Sequence, residues 1–358
     1  MRETASADAP GRVNLIGEHT DYHEGFVLPT VIPQRTRVRV ERRADRRIRA
    51  SSTAFGDEWE EYQAGDEQPG RGWMDYIQGV TAILARHGIA VPGFDVRIHS
   101  DVPVGAGVSS SAALEVSLLR ALRELLEFDA DDLMLARMAQ AVETDFVGAP
   151  VGIMDQMAVS LGRPQEALFI DTRSLLVESL PLPATIELVV IDSAVPHAHA
   201  GGEYATRRRE SFEAAALLGV ERLRDLDPAS LARIAELPAV LARRARHVVT
   251  ENQRVLDAVT ALRAGDAPCL GALFTASHAS MRDDYETSTP DVDALVRIAE
   301  ATPGVYGARL TGGGFGGAVV AVVKAGRGRA AAAAIRDTYR TATKRPAVVL
   351  LPAVQGAE

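Results

Sequence analysis

The sequence predicts a mixed helix-and-strand protein, α+β or α/β, folded as two domains. Three observations predict it. The chain has 358 residues, 47% of them hydrophobic, which is enough for one large core or two ordinary ones. Apolar and charged residues alternate with period 2 in TRVRVERR (Thr36–Arg43) and in FDVRIH (Phe94–His99), the pattern of half-exposed strands. Apolar residues recur at helical spacing in SSAALEVSLLRALRELLEF, which predicts a helix from about Ser110 to Glu127.

The remaining elements follow in order. Helical patterns run from about Asp131 to Phe146 and from about Val151 to Leu161, and strands over Ala167–Asp171 and Ile186–Asp192. Between those strands, PLPAT (Pro181–Thr185) is the candidate boundary, dividing residues 1–183 from 184–358. The second half is helix-rich: Tyr204–Leu218, Ala239–Ala264, Cys269–Met281 and Val292–Ala301. A strand near Val305–Leu310, a glycine turn, a strand near Ala318–Val323, a helix near Gly328–Thr341 and a strand near Ala347–Leu351 close the chain. There is no internal repeat.

Composition excludes several functions. The net charge of −9 argues against nucleic acid as a partner, because a phosphate backbone needs a basic surface. A single cysteine, Cys269, allows neither an intramolecular disulfide nor a multi-cysteine metal site. No segment has the apolar length of a signal peptide or a membrane span, so a cytoplasmic protein with no membrane partner, by default a monomer, is expected. Only Lys324 and Lys344 are lysines among the 39 basic residues.

PVGAG (Pro103–Gly107), leading into the helix at Ser110, carries the first chemistry. Glycines let a backbone approach a ligand closely. The free N–H groups and dipole of a helix start attract phosphate, and serine hydroxyls add a possible Mg²⁺ ligand. The same stretch suits a plain turn with a serine cap. It is no Walker loop, since no GK[ST] is present, and it departs from GxGxxG at Ser110. Any phosphate charge must therefore be met by backbone, serine, metal and arginine. GRVNLIGEHTDYHEGFVLP (Gly11–Pro29) gathers Arg12, Asn14, Glu18, His19, Asp21 and His23 around an apolar pair, residue types that suit a sugar pocket or a polar surface loop.

That segment closely resembles the signature of the galactokinase family of the GHMP kinase superfamily. PVGAGVSSSAAL resembles the superfamily's phosphate loop and LTGGGFGGAVVAV (Leu310–Val322) its third motif. VETDFVGAPVGIMDQMAVSLG (Val142–Gly162) resembles the segment that carries the catalytic aspartate. GGEYATRRRE, near Tyr204, and SHASMRDDYETSTPDVD, near Asp283, resemble further family segments. The six segments lie in order from residue 9 to about residue 323.

The resemblance implies an α+β, two-domain GHMP kinase fold with its active site in the interdomain cleft. It implies an ATP-dependent kinase that phosphorylates the C1 hydroxyl of galactose, with ATP and hexose as small-molecule partners and Mg²⁺ as cofactor. Asp155 would be the catalytic carboxylate and Arg12 would stabilise charge beside it. Ser111 and Glu143 would hold Mg²⁺. Gly105, Ala106, Gly107, Val108, Ser109, Ser110 and Ser111, with Trp73 and Tyr76, would bind ATP. Glu18, His19, Thr20, Asp21, Gly152 and Tyr204 would bind the sugar. Gly312, Gly313, Gly314 and Gly316 would back the site with close backbone.

Each role has a plainer alternative: core packing for Trp73 and Tyr76, a salt bridge for Arg12, a structural histidine for His19. His23, Glu24 and Ala205 depart from the usual family residues at the sugar end and bear on substrate identity before reaction type. The chain starts eight residues before Ala9, so the longer N-terminal arm of the family is expected to be shortened. His197 and His199 form an HxH pair with no third zinc ligand evident, and Arg207–Arg209 reads as a helix charge run. Two rivals to a galactose kinase are a GHMP kinase for galacturonate, arabinose or N-acetylgalactosamine, and a non-catalytic sugar sensor. Retention of Ser109–Ser111, Arg12 and Asp155 argues for activity.

Overall fold

The computed structural model describes residues 2–195 and 200–352. In chain order these form β1 (Thr4–Asn14), β2 (Phe26–Val27), β3 (Pro29–Arg42), β4 (Arg47–Ser52), β5 (Glu60–Gln63), α1 (Met74–Arg86), β6 (Phe94–Ser100), α2 (Ser110–Leu126), α3 (Asp132–Ala141), α4 (Met154–Leu161), β7 (Glu166–Asp171), β8 (Leu176–Pro181) and β9 (Ile186–Asp192). Then come α5 (Ala200–Leu217), α6 (Leu231–Ile234), α7 (Ala239–Ala264), α8 (Ala267–Asp283), α9 (Pro290–Glu300), β10 (Val305–Leu310), β11 (Ala318–Lys324), α10 (Gly328–Thr343) and β12 (Val348–Leu351). The mixture is α+β, as the sequence predicts. None of the described helices is long and apolar enough to cross a membrane.

The residues cluster into two compact units, each discontinuous in sequence. The first holds residues 1–12, 32–104 and 109–162; the second holds 13–31, 105–108 and 163–358. The sequence expectation of one boundary at 183/184 follows the chain, whereas contacts assign residues 13–31 and 163–183 to the second unit.

In the first unit, β3, β6, β4 and β5 lie side by side in that order, with β1 against β3. The pair β3 and β6 is antiparallel and sets Val38 opposite Ile98 and Val40 opposite Val96. Those four are buried, whereas Arg37, Arg39, Arg97 and His99 are exposed, so the predicted alternation is the two faces of the sheet. The antiparallel sheet is completed by a parallel contact of β4 with β6. The four helices of this unit pack on one another: α1 on α2, α2 on α3 and α4, α3 on α4.

In the second unit, β10, β11, β9 and β12 form an antiparallel sheet in that order. Val189, Ile191, Val319 and Ala321 pack there with Leu295, Val296 and Ile335 of α9 and α10. A second core, around α5 and α7, closes on Tyr285. Caps explain the helix starts: Asp266 accepts from Cys269 N to open α8, and Thr289, followed by Pro290, accepts from Val292 N to open α9.

Two predicted helices change. The pattern over 131–146 breaks at Ala141, and residues Val142–Val147 form a π-helical turn ended by Gly148 at φ 80°. The helix expected from Val151 begins at Met154. The alternation-based reading missed β1, because its last six residues are buried regardless of face.

Candidate active site

In the first unit the chemistry gathers where α2, α4 and the π-turn meet the end of β1. Arg12 leaves that strand 3% exposed and grips Asp155, the second residue of α4. Its Nη2 donates to Oδ1 and Oδ2, each at 2.6 Å, and its Nε to Oδ1 at 2.8 Å. Ser109 sits at φ 62°, a left-handed conformation costly for a non-glycine residue. That turn aims its Oγ at Asp155 Oδ2, 2.6 Å away. The guanidinium and the hydroxyl both donate to the Asp155 carboxylate, which lies in the first turn of α4.

Beside this pair, Ser111 Oγ and Gln156 Nε2 both donate to Glu143 Oε1, at 3.0 and 3.1 Å. Glu143 lies in the π-turn, a feature that recurs at functional sites. Burial, then the charge of Asp155, pushes its carboxyl up to about 7 against the pull of Ser111, Gln156 and Arg12. Gly79 lets α1 press on this turn: a Cβ there would come within 2.6 Å of Val142 Cγ1. Tyr76 is half-buried, its hydroxyl pushed up to about 12 by burial and then by Glu143 and Glu115. Trp73 stacks on Phe55 at 5.4 Å and donates from Nε1 to Glu60 Oε1 at 2.7 Å. Ser110 opens α2, and Gly152 is buried in the loop that precedes α4.

The second unit holds the rest of the signature. Glu18 is 1% exposed, and its carboxylate accepts from Asn14 Nδ2 and Gly312 N, each at 2.8 Å, and pairs with Arg309 Nη2 at 2.6 Å. Arg309 is itself fully buried and donates to the carbonyls of Asn14 and Leu15 and to Ser277 Oγ. Glu251 shares it at 3.7 Å. Burial pushes Glu251 up, but Arg254, Arg309 and His247 outweigh this and hold it at about 2.

His19, at φ 61°, places Nε2 3.1 Å from the Gly313 carbonyl and Nδ1 2.9 Å from Tyr22 Oη. A carbonyl only accepts, so Nε2 carries the proton and Nδ1 accepts from Tyr22. Burial, with His247 nearby, pushes the ring down to about 3, so it stays neutral. Thr20 is buried, and its hydroxyl lies 2.7 Å from Phe26 O and 2.9 Å from Gly17 O. Asp21 and Tyr204 are half-exposed, and the Tyr204 ring lies 5.2 Å from that of His19. Gly312, at φ 87°, comes so close to the phosphate-loop segment that a Cβ would meet Gly107 O at 2.8 Å.

The predicted residues thus fall into two groups. In the first unit, Arg12, Ser109 and Asp155 form one bonded set, and Ser111 and Glu143 form another. Glu18, His19 and Thr20 are buried and engaged by their own neighbours, leaving Asp21 and Tyr204 as the half-exposed members of the sugar set in the second unit. His23 lies against α5, its Nε2 2.8 Å from Ser211 Oγ and its ring stacked at 4.4 Å on Phe212. His197 and His199 lie outside the described residues.

Sequence reading missed Glu115, Gln156 and Arg309. Glu115 had a signal, since it stands four residues after Ser111 on an otherwise apolar helix face. Arg309 had none, being one arginine among many.

The donor set suits Mg²⁺: a carboxylate, a hydroxyl and an amide oxygen, hard ligands that leave room for phosphate and water. The buried Gln156 Oε1 has no hydrogen-bond partner among the described residues, which leaves it open to a cation.

Residues 2–42 match the galactokinase galactose-binding signature, 75–163 the GHMP kinases N terminal domain and 258–341 the GHMP kinases C terminal domain. A galactokinase of Chloroflexus aurantiacus is 44% identical over 349 residues, covering 96% of this chain and 90% of that protein. One of Streptomyces coelicolor is 43% identical, covering 93% and 88%. The crystal structure of Lactococcus lactis galactokinase complexed with galactose superposes with a TM-score of 0.92 at 32% identity, covering 97% of this chain and 92% of that one. Mevalonate kinase of Methanococcus jannaschii, at 16% identity and a TM-score of 0.70, shares the fold.

Proposed function

The chain belongs to the galactokinase family of the GHMP kinases, and from that premise we propose that it transfers the γ-phosphoryl group of ATP to the C1 hydroxyl of D-galactose, giving galactose 1-phosphate and ADP. The observation that carries the catalytic reading is the fork of Arg12 on Asp155, with Ser109 on the same carboxylate. Phosphoryl transfer passes through a loose transition state, so little covalent chemistry falls to the protein. Asp155 accepts the proton of the attacking hydroxyl as the new bond forms. Arg12 and Ser109 hold the carboxylate in one orientation towards that hydroxyl. Arg12 offsets the charge that remains.

In this reading the backbone of Gly105, Ala106, Gly107 and Val108, with Ser109 and Ser110, cradles the ATP phosphates, and Trp73 and Tyr76 flank the nucleotide. Ser111 and Glu143 hold Mg²⁺, which when bound screens the phosphate charge. Asp21 and Tyr204 meet sugar hydroxyls, and Gly152 lines the sugar from the loop before α4. Glu18, His19 and Thr20 belong to the same sugar set. Their buried contacts to Gly312, Gly313 and Phe26 support a role in holding its backbone shape. The enzyme works in the cytoplasm as a monomer on two small molecules, and its acidic excess supports the absence of a nucleic-acid partner.

A coupled ADP-release assay tests the substrate assignment. Galactose is expected to give the highest kcat/KM among galactose, galacturonate, arabinose and N-acetylgalactosamine. A higher value for any of the other three would replace galactose, and no ADP release with any sugar would favour a sensor.

A further inference from the structure

Two buried side chains of the first unit, Glu115 and Gln156, have oxygens with no hydrogen-bond partner among the described residues; Gln156 is bonded to Glu143, and the charge of Glu143 acts on Glu115. Glu115 lies four residues after Ser111 on α2, so the two share one face a single turn apart. Ser111 is bonded to Glu143, and the charges of Glu143 and Asp155 both act on the Glu115 carboxyl. Gln156 donates to the same Glu143 oxygen through Nε2, at 3.1 Å. Glu115 and Gln156 are each 0% exposed. Both oxygens of Glu115 and the Oε1 of Gln156 are buried without a hydrogen-bond partner.

An isolated buried carboxylate costs several kcal/mol or more and is not kept without compensation. Burial first, then the charges of Glu143 and Asp155, pushes the Glu115 carboxyl well above the usual range, the mark of a place short of positive charge. Oxygens left without a hydrogen-bond partner are open to a cation or to its water shell. No group of three or more His, Cys, Asp and Glu among the described residues is arranged to hold a metal by itself. An ion here must therefore also draw on hydroxyl, amide, phosphate or water oxygen, as Mg²⁺ beside nucleotide commonly does.

We propose that Glu115 and Gln156 are further members of the magnesium site, turning their unsatisfied oxygens to the ion or to its water shell beside Ser111 and Glu143. This rests on the reading of Ser111 and Glu143 as magnesium ligands. The bound ion would then have two carboxylates on its protein side rather than one.

The test is titration of Mn²⁺, followed by its paramagnetic resonance signal, into the full-length enzyme with a non-hydrolysable ATP analogue. Wild type is compared with Glu115→Gln, Gln156→Met and Glu143→Gln, with thermal unfolding of each as a folding check. Glu115→Gln is expected to weaken Mn²⁺ tenfold or more, within the range for partners of metal ligands. Gln156→Met is expected to weaken it severalfold, while metal-free nucleotide binding is unchanged in both. If Glu143→Gln weakens Mn²⁺ while both Glu115→Gln and Gln156→Met bind it within twofold of wild type, the inference is wrong and the ligand reading stands. Glu115 is then a buried acid kept neutral by its surroundings. If Glu143→Gln is also without effect, the ligand reading itself fails. Should Glu115→Gln not fold, Gln156→Met decides alone.

Discussion

Arg12 and Asp155, 143 residues apart in sequence, are joined by three hydrogen bonds of 2.6 to 2.8 Å, with the arginine buried and the aspartate half-buried. The geometry leaves the carboxylate fixed in direction. Asp155→Asn keeps the shape but removes the acceptor charge, and its amide would confront the guanidinium. Turnover in the ADP-release assay is expected to be lost while galactose binding, read by calorimetry, survives. Near-wild-type turnover would refute the assignment of Asp155 as base.

Arg12→Lys tests the fork rather than the charge. A lysine keeps the charge but cannot span both carboxylate oxygens. The expected result is a fall in kcat on the order of 10²–10³, the usual effect of losing one donor aimed at transition-state charge. A fall confined to the KM for galactose would instead mark Arg12 as a ground-state binding group.

Gly79→Ala probes the turn that carries Glu143. Its Cβ would lie 2.6 Å from Val142 Cγ1, closer than side-chain carbons pack, so α1 or the π-turn must move. Overpacking of this kind costs about 1–3 kcal/mol. Displacement of Glu143 is expected to raise the Mg²⁺ concentration for half-maximal activity by about tenfold, as for other supports of metal ligands. Unchanged Mg²⁺ dependence would show that the turn yields elsewhere.

Arg309→Met removes the cation that Glu18 and Glu251 share in a fully buried setting. Breaking such a network by deleting one partner costs about 3–5 kcal/mol, because the remaining carboxylates stay in low dielectric. Urea unfolding should show this loss. A change below about 1 kcal/mol would mean the two acids take up protons or water at little cost.

His23→Asn isolates a pH effect. Burial, then Arg222 and Arg208, pushes the His23 ring down to about 3 from its ordinary 6.5. The unfolded chain therefore binds the proton first, and the contribution of His23 to stability is fully present above about 6.5 and is lost as pH falls towards 3. Relative to the variant, the wild type should lose about 1.4 kcal/mol per pH unit across that window. Parallel stability curves for the two proteins would show that His23 is charged in the fold.

Much of this protein is legible in its sequence because local chemistry decides it. Alternation sets the faces of β3 and β6, and helical spacing sets α2 and α7. The ordered polar and glycine segments carry the family. The reason is that periodicity, capping and backbone freedom act over a few residues and leave their mark in the chain. Tertiary structure decided the rest. Only the fold bonds Arg12 to Asp155 and folds Glu18, His19 and Thr20 inward onto Gly312, Gly313 and Phe26. Only the fold gives residues 13–31 to the second unit, breaks the predicted 131–146 helix into a π-turn and buries Glu115 without a partner. These outcomes depend on which distant groups share a low-dielectric interior, where charge and hydrogen bonding are worth most, and no local pattern records that.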